Sequence, residues 1–288
     1  MAGNKKIEVA LVYDFDGTLS PGNMQEFGFI NAIGTDKDDF WRRNNQMSVE
    51  NDASGILCYM YLMIDEAKKN GIKLTKESFR SFGSKIKLYD GVKDWFRNIN
   101  QYGSSIGLKI SHYINSSGLK EMIEGSPIAH EFANIYACSF LYNSEGNAYW
   151  PAVAVDFTTK TQFLFKLNKG ITEISDSWKI NQYIPEEERP MPFQNMIYFG
   201  DGETDIPSMK MIKERGGHSI AVYKPGDKDK KAVAEKLIRE QRVNFACPAN
   251  YNPDKSLFKV VKRILDKIKA DNDFKRLVKV NQKRIEKC

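Results

Sequence analysis

The sequence predicts an α/β fold: a core with a mostly parallel central sheet, interrupted by an inserted α-helical cap. Three observations carry this. Short β-branched apolar runs recur along the chain with helical segments between them. Several of these runs stop at polar, glycine-containing punctuation. A long helical block breaks the alternation directly after the first run. Strands separated by helices imply βαβ units joined by right-handed crossovers.

The first run, IEVALVY over residues 7–13, is nearly continuous in apolar side chains, as a strand buried on both faces of a parallel sheet should be. It ends in Asp14 and Asp16, two apart, so on an extended backbone their carboxylates share a side. Gly17 then permits a sharp turn or a close backbone approach. Two acids at the carboxyl end of a strand invite a divalent cation, and α/β sheets place their ligands at that end. Asp-x-Asp-Gly is also a common turn sequence, so the motif needs support from elsewhere in the chain.

From Met24 to Gly103 the pattern is helical. Helices are expected around residues 56–69, stopped by Asn70-Gly71, then from Thr75 to Lys87, and after Asp90-Gly91 up to Gly103. The block is too long for one loop, so residues 21–87 are read as the inserted cap. Strand character returns at 107–115 and ends in Ser116-Ser117-Gly118. Residues 137–150 alternate around Glu145-Gly146-Asn147, the mark of a hairpin. A helix is expected from Thr161, with Lys169 at a helix start. MIYF at 196–199 ends in Gly200-Asp201-Gly202-Glu203-Thr204-Asp205, and short strands follow at 219–223 and 243–247. The expected domains are a core of residues 1–20 and 88–270, the cap at 21–87, and a basic helix or tail at 271–288.

Composition narrows the class. At 288 residues the chain suits one large domain or two modest ones, and 41% hydrophobic with 28% charged residues is ordinary for a globular protein. The formal charge of +6 is mild. Cys58, Cys138, Cys247 and Cys288 are far apart, without a CxxC pair or a neighbouring histidine, so neither a zinc site nor a disulfide framework is expected. His112, His130 and His218 have no partner at ligand spacing. The apolar run at 56–64 is too short to span a bilayer, and the N-terminal run is cut by Asp14 before a signal-peptide core is complete. A cytoplasmic protein is expected, without membrane association. The lysine-rich C-terminal segment lacks aromatic interleaving, so no nucleic-acid partner is expected.

In a parallel sheet the ends of the strands share one edge. Asp14, Asp16, Ser116, Asp201, Asp205 and Lys169 are therefore expected to converge. Several unpaired carboxylates would repel by several kcal/mol at an effective dielectric of about 20. A divalent metal and a lysine relieve that repulsion.

DFDGT (14–18), INSSG (114–118), NKG (168–170) and GDGETD (200–205) together resemble the four motifs of the haloacid dehalogenase (HAD) superfamily, in the branch related to phosphoserine phosphatases. The resemblance covers residues 7 to about 223 and places the insertion where that branch carries its helical cap. It implies a HAD-like Rossmannoid three-layer core and a phosphatase of a small phosphorylated metabolite. Asp14 would be the nucleophile that becomes an aspartyl-phosphate, and Asp16 the general acid and base. Mg2+ would be held by Asp14, by the backbone carbonyl of Asp16 and by Asp201. Thr18, Ser116, Ser117, Gly118 and Lys169 would bind the phosphoryl group, with Thr204 and Asp205 supporting from behind. Thr204 takes a place often held by Asn in that branch. Lys160 and Lys166 lie in the same region as Lys169. Each residue also has a plainer reading: Ser116 as a helix cap, Asp205 as a helix N-terminal charge, Lys169 as a surface lysine. Arg42 and Arg43 read as a solvated cap face. A phosphotransferase or phosphomutase, and a non-catalytic HAD-like binding module, are the alternative functions.

Overall fold

A computed structural model describes residues 6–285. Its core begins with β1 (Ile7–Tyr13), which sits in the middle of a seven-stranded sheet. Alternate residues of β1 serve different cores. Val9, Leu11 and Tyr13 enter one apolar cluster, and Ala10 and Val12 enter the other. Burial on both faces requires this period of two with no polar side, which is why the run looked continuous in the sequence.

The chain then leaves the sheet for helices α1 (Phe29–Ala32), α2 (Lys37–Glu50), α3 (Gly55–Lys69) and α4 (Lys76–Gly83). Three of them start on side-chain caps: Asp36 for α2, Ser54 for α3 and Thr75 for α4. These accept backbone N–H groups that would otherwise be orphaned. The insertion has no separate interior. Its Phe29, Phe40, Met60 and Phe79 belong to the same apolar cluster as Val9, Leu11 and Trp95 of the core. Phe79 stacks on Phe140 of the sheet, with ring centroids 5.5 Å apart.

The chain returns through α5 (Val92–Ser105), β2 (Leu108–Leu119), α6 (Lys120–Gly125), β3 (Phe132–Tyr142) and β4 (Ala148–Val153). It continues with α7 (Phe157–Asn168), β5 (Met196–Gly200), α8 (Ile206–Glu214), β6 (His218–Tyr223), α9 (Lys228–Arg239), β7 (Phe245–Pro248) and α10 (Ser256–Ile285). The strand order is β4-β3-β2-β1-β5-β6-β7. All pairings are parallel except β3 with β4, the expected hairpin. Helices α5 and α10 cover one face and α7, α8 and α9 the other, giving three layers. The order reverses at β1, so the ends of β1, β2 and β5 frame the crevice in which such sheets bind ligands.

Two expectations change. The helix expected from Thr161 begins at Phe157, because Asp156 and Thr159 form a capping box. It stops at Lys169, where Gly170 takes a φ of +70°. Lys-Gly therefore ends this helix and does not open one, the usual use of a left-handed glycine. Residues 271–285 are helical, one of the two forms expected for that segment, and they continue α10, which presents Phe274, Leu277, Val280 and Ile285 to solvent. Cys288 lies outside the described residues, whereas Cys58, Cys138 and Cys247 are buried free thiols. Among the described residues no helix is long and apolar enough to cross a membrane.

Beneath the sheet, Trp95 Nε1 donates to the Tyr13 hydroxyl at 2.8 Å, and that hydroxyl lies 3.0 Å from His112 Nδ1. The far nitrogen of His112 meets Asn100 Oδ1 at 3.0 Å. Burial pushes the His112 imidazole down from 6.5 to about 3. The unfolded chain thus takes up a proton near pH 6.5 that the folded chain refuses, so this group lowers stability as pH falls through that window and is silent above it. Between about pH 7 and about pH 5 its contribution is roughly 2 kcal/mol. Urea unfolding of the wild type should lose that much more stability over this interval than the His112→Gln variant. Equal pH slopes would contradict the assignment.

Candidate active site

The loop after β1 carries the first two acids. Asp14 is buried, and its N–H donates to the Phe199 carbonyl of β5 at 2.9 Å, so the β1–β5 pairing fixes its position. The next turn is tight, with the N–H groups of Leu19 and Ser20 on the Phe15 carbonyl at 2.8 and 3.1 Å. Gly17 sits in it at φ +73°, and a Cβ there would lie 2.1 Å from Asp201 Oδ2. Glycine is required twice over, by the backbone and by the approach of the third acid. Asp16 lines the same cavity, and its Oδ1 accepts the Met24 N–H at 3.0 Å.

The second group comes from the end of β2. Ser116 is 1% exposed, so it lies inside the strand and does not cap a helix; α6 is capped at Leu119 instead. Its Oγ accepts the Gly118 N–H at 3.1 Å, and its hydroxyl helps hold the Asp14 carboxyl down. Ser117 and Gly118 line the same cavity, and the Ser117 carbonyl accepts the Tyr59 hydroxyl of α3 at 2.8 Å, tying the insertion to the strand end.

The third group follows β5. Asp201 faces the cavity, while Asp205 is fully buried at the start of α8. Carboxylate oxygens of Asp14, Asp201 and Asp205 all lie within 4.8 Å of one another. Asp205 is already engaged: its Oδ1 accepts from Lys160 Nζ and from the Tyr198 hydroxyl, both at 2.7 Å. Lys160 Nζ also stands 3.3 Å from Asp14 Oδ1, without the geometry of a hydrogen bond, so that buried oxygen still lacks a donor. Lys160 is itself wholly buried, one turn into α7, whose strand-side anchor is the Asn115 amide on the Lys160 carbonyl at 2.9 Å.

The electrostatics follow from that crowding. Burial and the nearby Asp205 push Asp14 up to about 6, against the pull of Lys160. Burial, Asp14 and Asp205 push Asp201 up to about 8. Burial and Asp14 raise Asp16 well above the ordinary carboxylate range. Burial alone would lower the Lys160 ammonium, but Asp14 and Asp205 overcome it and hold it above the usual lysine range. One ammonium does not balance this many acids. Hard oxygen donors this close, one of them a buried oxygen without a donor, fit a divalent cation such as Mg2+.

Two expected residues are elsewhere. Lys169 lies at the opposite end of α7, its ammonium on the carbonyl oxygens of Ile180 and Gln182. Lys160 takes the position expected of it, because the helix runs the other way relative to the Lys-Gly pair. The capping residues Asp156 and Thr159 were the sequence signal for this. Thr18 is wholly buried behind the loop and does not line the cavity; its carbonyl accepts the Tyr251 hydroxyl at 2.8 Å. Thr204 does line the cavity. The cavity has a volume of about 590 Å³. Its wall from the insertion includes Gln25, Glu26, Trp41, Asn44 and Tyr59, which periodicity could not separate from core or surface positions.

No protein-family model matches the chain. An uncharacterised protein of Borreliella burgdorferi is 29% identical over 277 residues, covering 87% of this chain and 94% of its own. Among solved structures, a HAD-family hydrolase from Salmonella enterica serovar Typhi matches with a TM-score of 0.53 at 14% identity, over 82% of this chain and 66% of that one. A substrate-bound phosphoserine phosphatase matches with a TM-score of 0.53 at 13% identity, over 90% of this chain and 99% of that one. The chain has the HAD-like Rossmannoid fold.

Removing one partner of a buried ion pair strands the other. Lys160→Met should therefore cost about 3–5 kcal/mol in urea unfolding without added metal. Lys169→Met, which gives up contacts to backbone carbonyls, should cost about 1 kcal/mol. Equal losses would contradict the placement of Lys160.

Proposed function

We propose that the protein is a Mg2+-dependent phosphomonoesterase acting on a small phosphorylated metabolite. The observation that carries this is the meeting of Asp14, Asp201 and Asp205 within 4.8 Å, at a strand-end crevice that also holds Asp16, Ser116 and the Lys160 ammonium. The fold of the phosphoserine phosphatases supports the reaction class by analogy.

Asp14 and Asp201, with the backbone carbonyl of Asp16, would hold the ion. When bound, it neutralises carboxylate charge and polarises the phosphoryl oxygens. An Asp14 carboxylate oxygen attacks phosphorus, the P–O bond to the alcohol breaks, and Asp16 gives its proton to the departing alkoxide. The aspartyl-phosphate is then attacked by water, whose proton returns to Asp16, and inorganic phosphate leaves with Asp14 restored. Lys160, fixed between Asp14 and Asp205, supplies positive charge where the equatorial oxygens gather it. The Ser116 hydroxyl adds a donor on the other side. Asp205 orients Lys160, and the Tyr198 hydroxyl holds Asp205. The cap covers the crevice and excludes bulk water, which strengthens each of these interactions.

p-Nitrophenyl phosphate should be turned over with Mg2+, and turnover should vanish with EDTA and in Asp14→Asn. Activity that survives either change would refute the reading. Ser116→Ala should lower kcat/KM by roughly 100-fold, as loss of one oxyanion donor does. An unchanged value would remove Ser116 from the phosphoryl site.

A further inference from the structure

We propose that this site selects phosphomonoesters whose alcohol carries a protonated amine and no carboxylate. The inference rests on the phosphatase reading and concerns the part of the cavity that would hold the leaving alcohol.

The insertion contributes no cation to the cavity lining among the described residues. Its arginines are committed elsewhere: Arg42 to Asp39 at 2.6 Å, Arg43 to Glu66 at 2.6 Å, and Arg80 to Glu124 at 2.9 Å. Trp41 and Asn44, three apart and so on one face of α2, turn toward the cavity instead. A carboxylate on the alcohol would find no counter-ion on this wall.

The wall offers acceptors. Glu26 Oε1 is fixed by Trp41 Nε1 at 3.1 Å and by the Asn23 amide at 2.9 Å, both neutral donors, so its charge stays uncompensated. Gln25 and Asn44 add amide side chains to the lining. Asp156 adds a second carboxylate from the start of α7. An ammonium brings three donors and the matching charge. The rings of Trp41 and Tyr59 complete the wall, and aromatic faces attract cations. The two lysines in the lining, Lys224 and Lys230, come from the sheet side, and Lys230 acts on Asp201 at the phosphate end.

The test is a comparison of kcat/KM, with Mg2+, for 2-aminoethyl phosphate, glycerol phosphate, phosphoserine and phosphoglycolate, with p-nitrophenyl phosphate as the generic ester. The amine ester should exceed each of the other three metabolite esters by at least about 10-fold. Glu26→Gln should shrink the amine-to-glycerol ratio to within about 3-fold. If glycerol phosphate or a carboxylated ester matches the amine ester, or if the ratio survives Glu26→Gln, this inference falls while the phosphatase reading stands. If no ester is hydrolysed, p-nitrophenyl phosphate included, the phosphatase reading falls and takes this inference with it.

Discussion

Carboxylates do not collect in a protein interior without a compensating charge, and this fold brings four of them to one sheet edge. Asp14 and Asp16 arrive directly after β1, and Asp201 and Asp205 arrive after β5, the strand hydrogen-bonded beside it. The register that pairs Tyr13 with Phe199 leaves Asp14 and Asp201 no choice but to be neighbours. Lys160 answers part of the charge from α7, while burial, together with the neighbouring acids, still holds Asp14 and Asp201 above the ordinary carboxylate range. The tight turn at Gly17, the burial of Lys160 between two acids and the Tyr198 hydroxyl on Asp205 all serve to keep this cluster compact.

Much of this was legible in the sequence. The apolar strands and their acidic or hydroxyl-bearing ends are local signals, and a parallel sheet turns them into one site by topology alone. The choice of lysine was harder, because it depended on which end of a helix faces the sheet edge. NKG looked like an entry to a helix, but Gly170 sits in the left-handed region that closes one. The capping pair held the answer, with Asp156 four residues before Lys160 and Thr159 next to it. Thr18 shows the opposite limit. It adjoins the motif in sequence, yet after the turn at Gly17 it is wholly buried, with its carbonyl accepting the Tyr251 hydroxyl.

The cap was visible as an interruption but not as a surface. Which of its aromatic and amide side chains line the cavity depends on the roll of α2 and α3 about their axes, and mixed polar and aromatic composition does not encode that roll. The helices also share one apolar cluster with the core. Movement of the cap as a unit would therefore disturb packing around Phe79 and Phe140.

The whole account depends on a cation joining the strand-end acids. Isothermal titration of Mg2+ into the wild-type protein and into Asp201→Asn tests this most directly. One ion should bind per wild-type chain, and the binding heat should disappear in the variant. The absence of binding by the wild type, or binding untouched by Asp201→Asn, would contradict it.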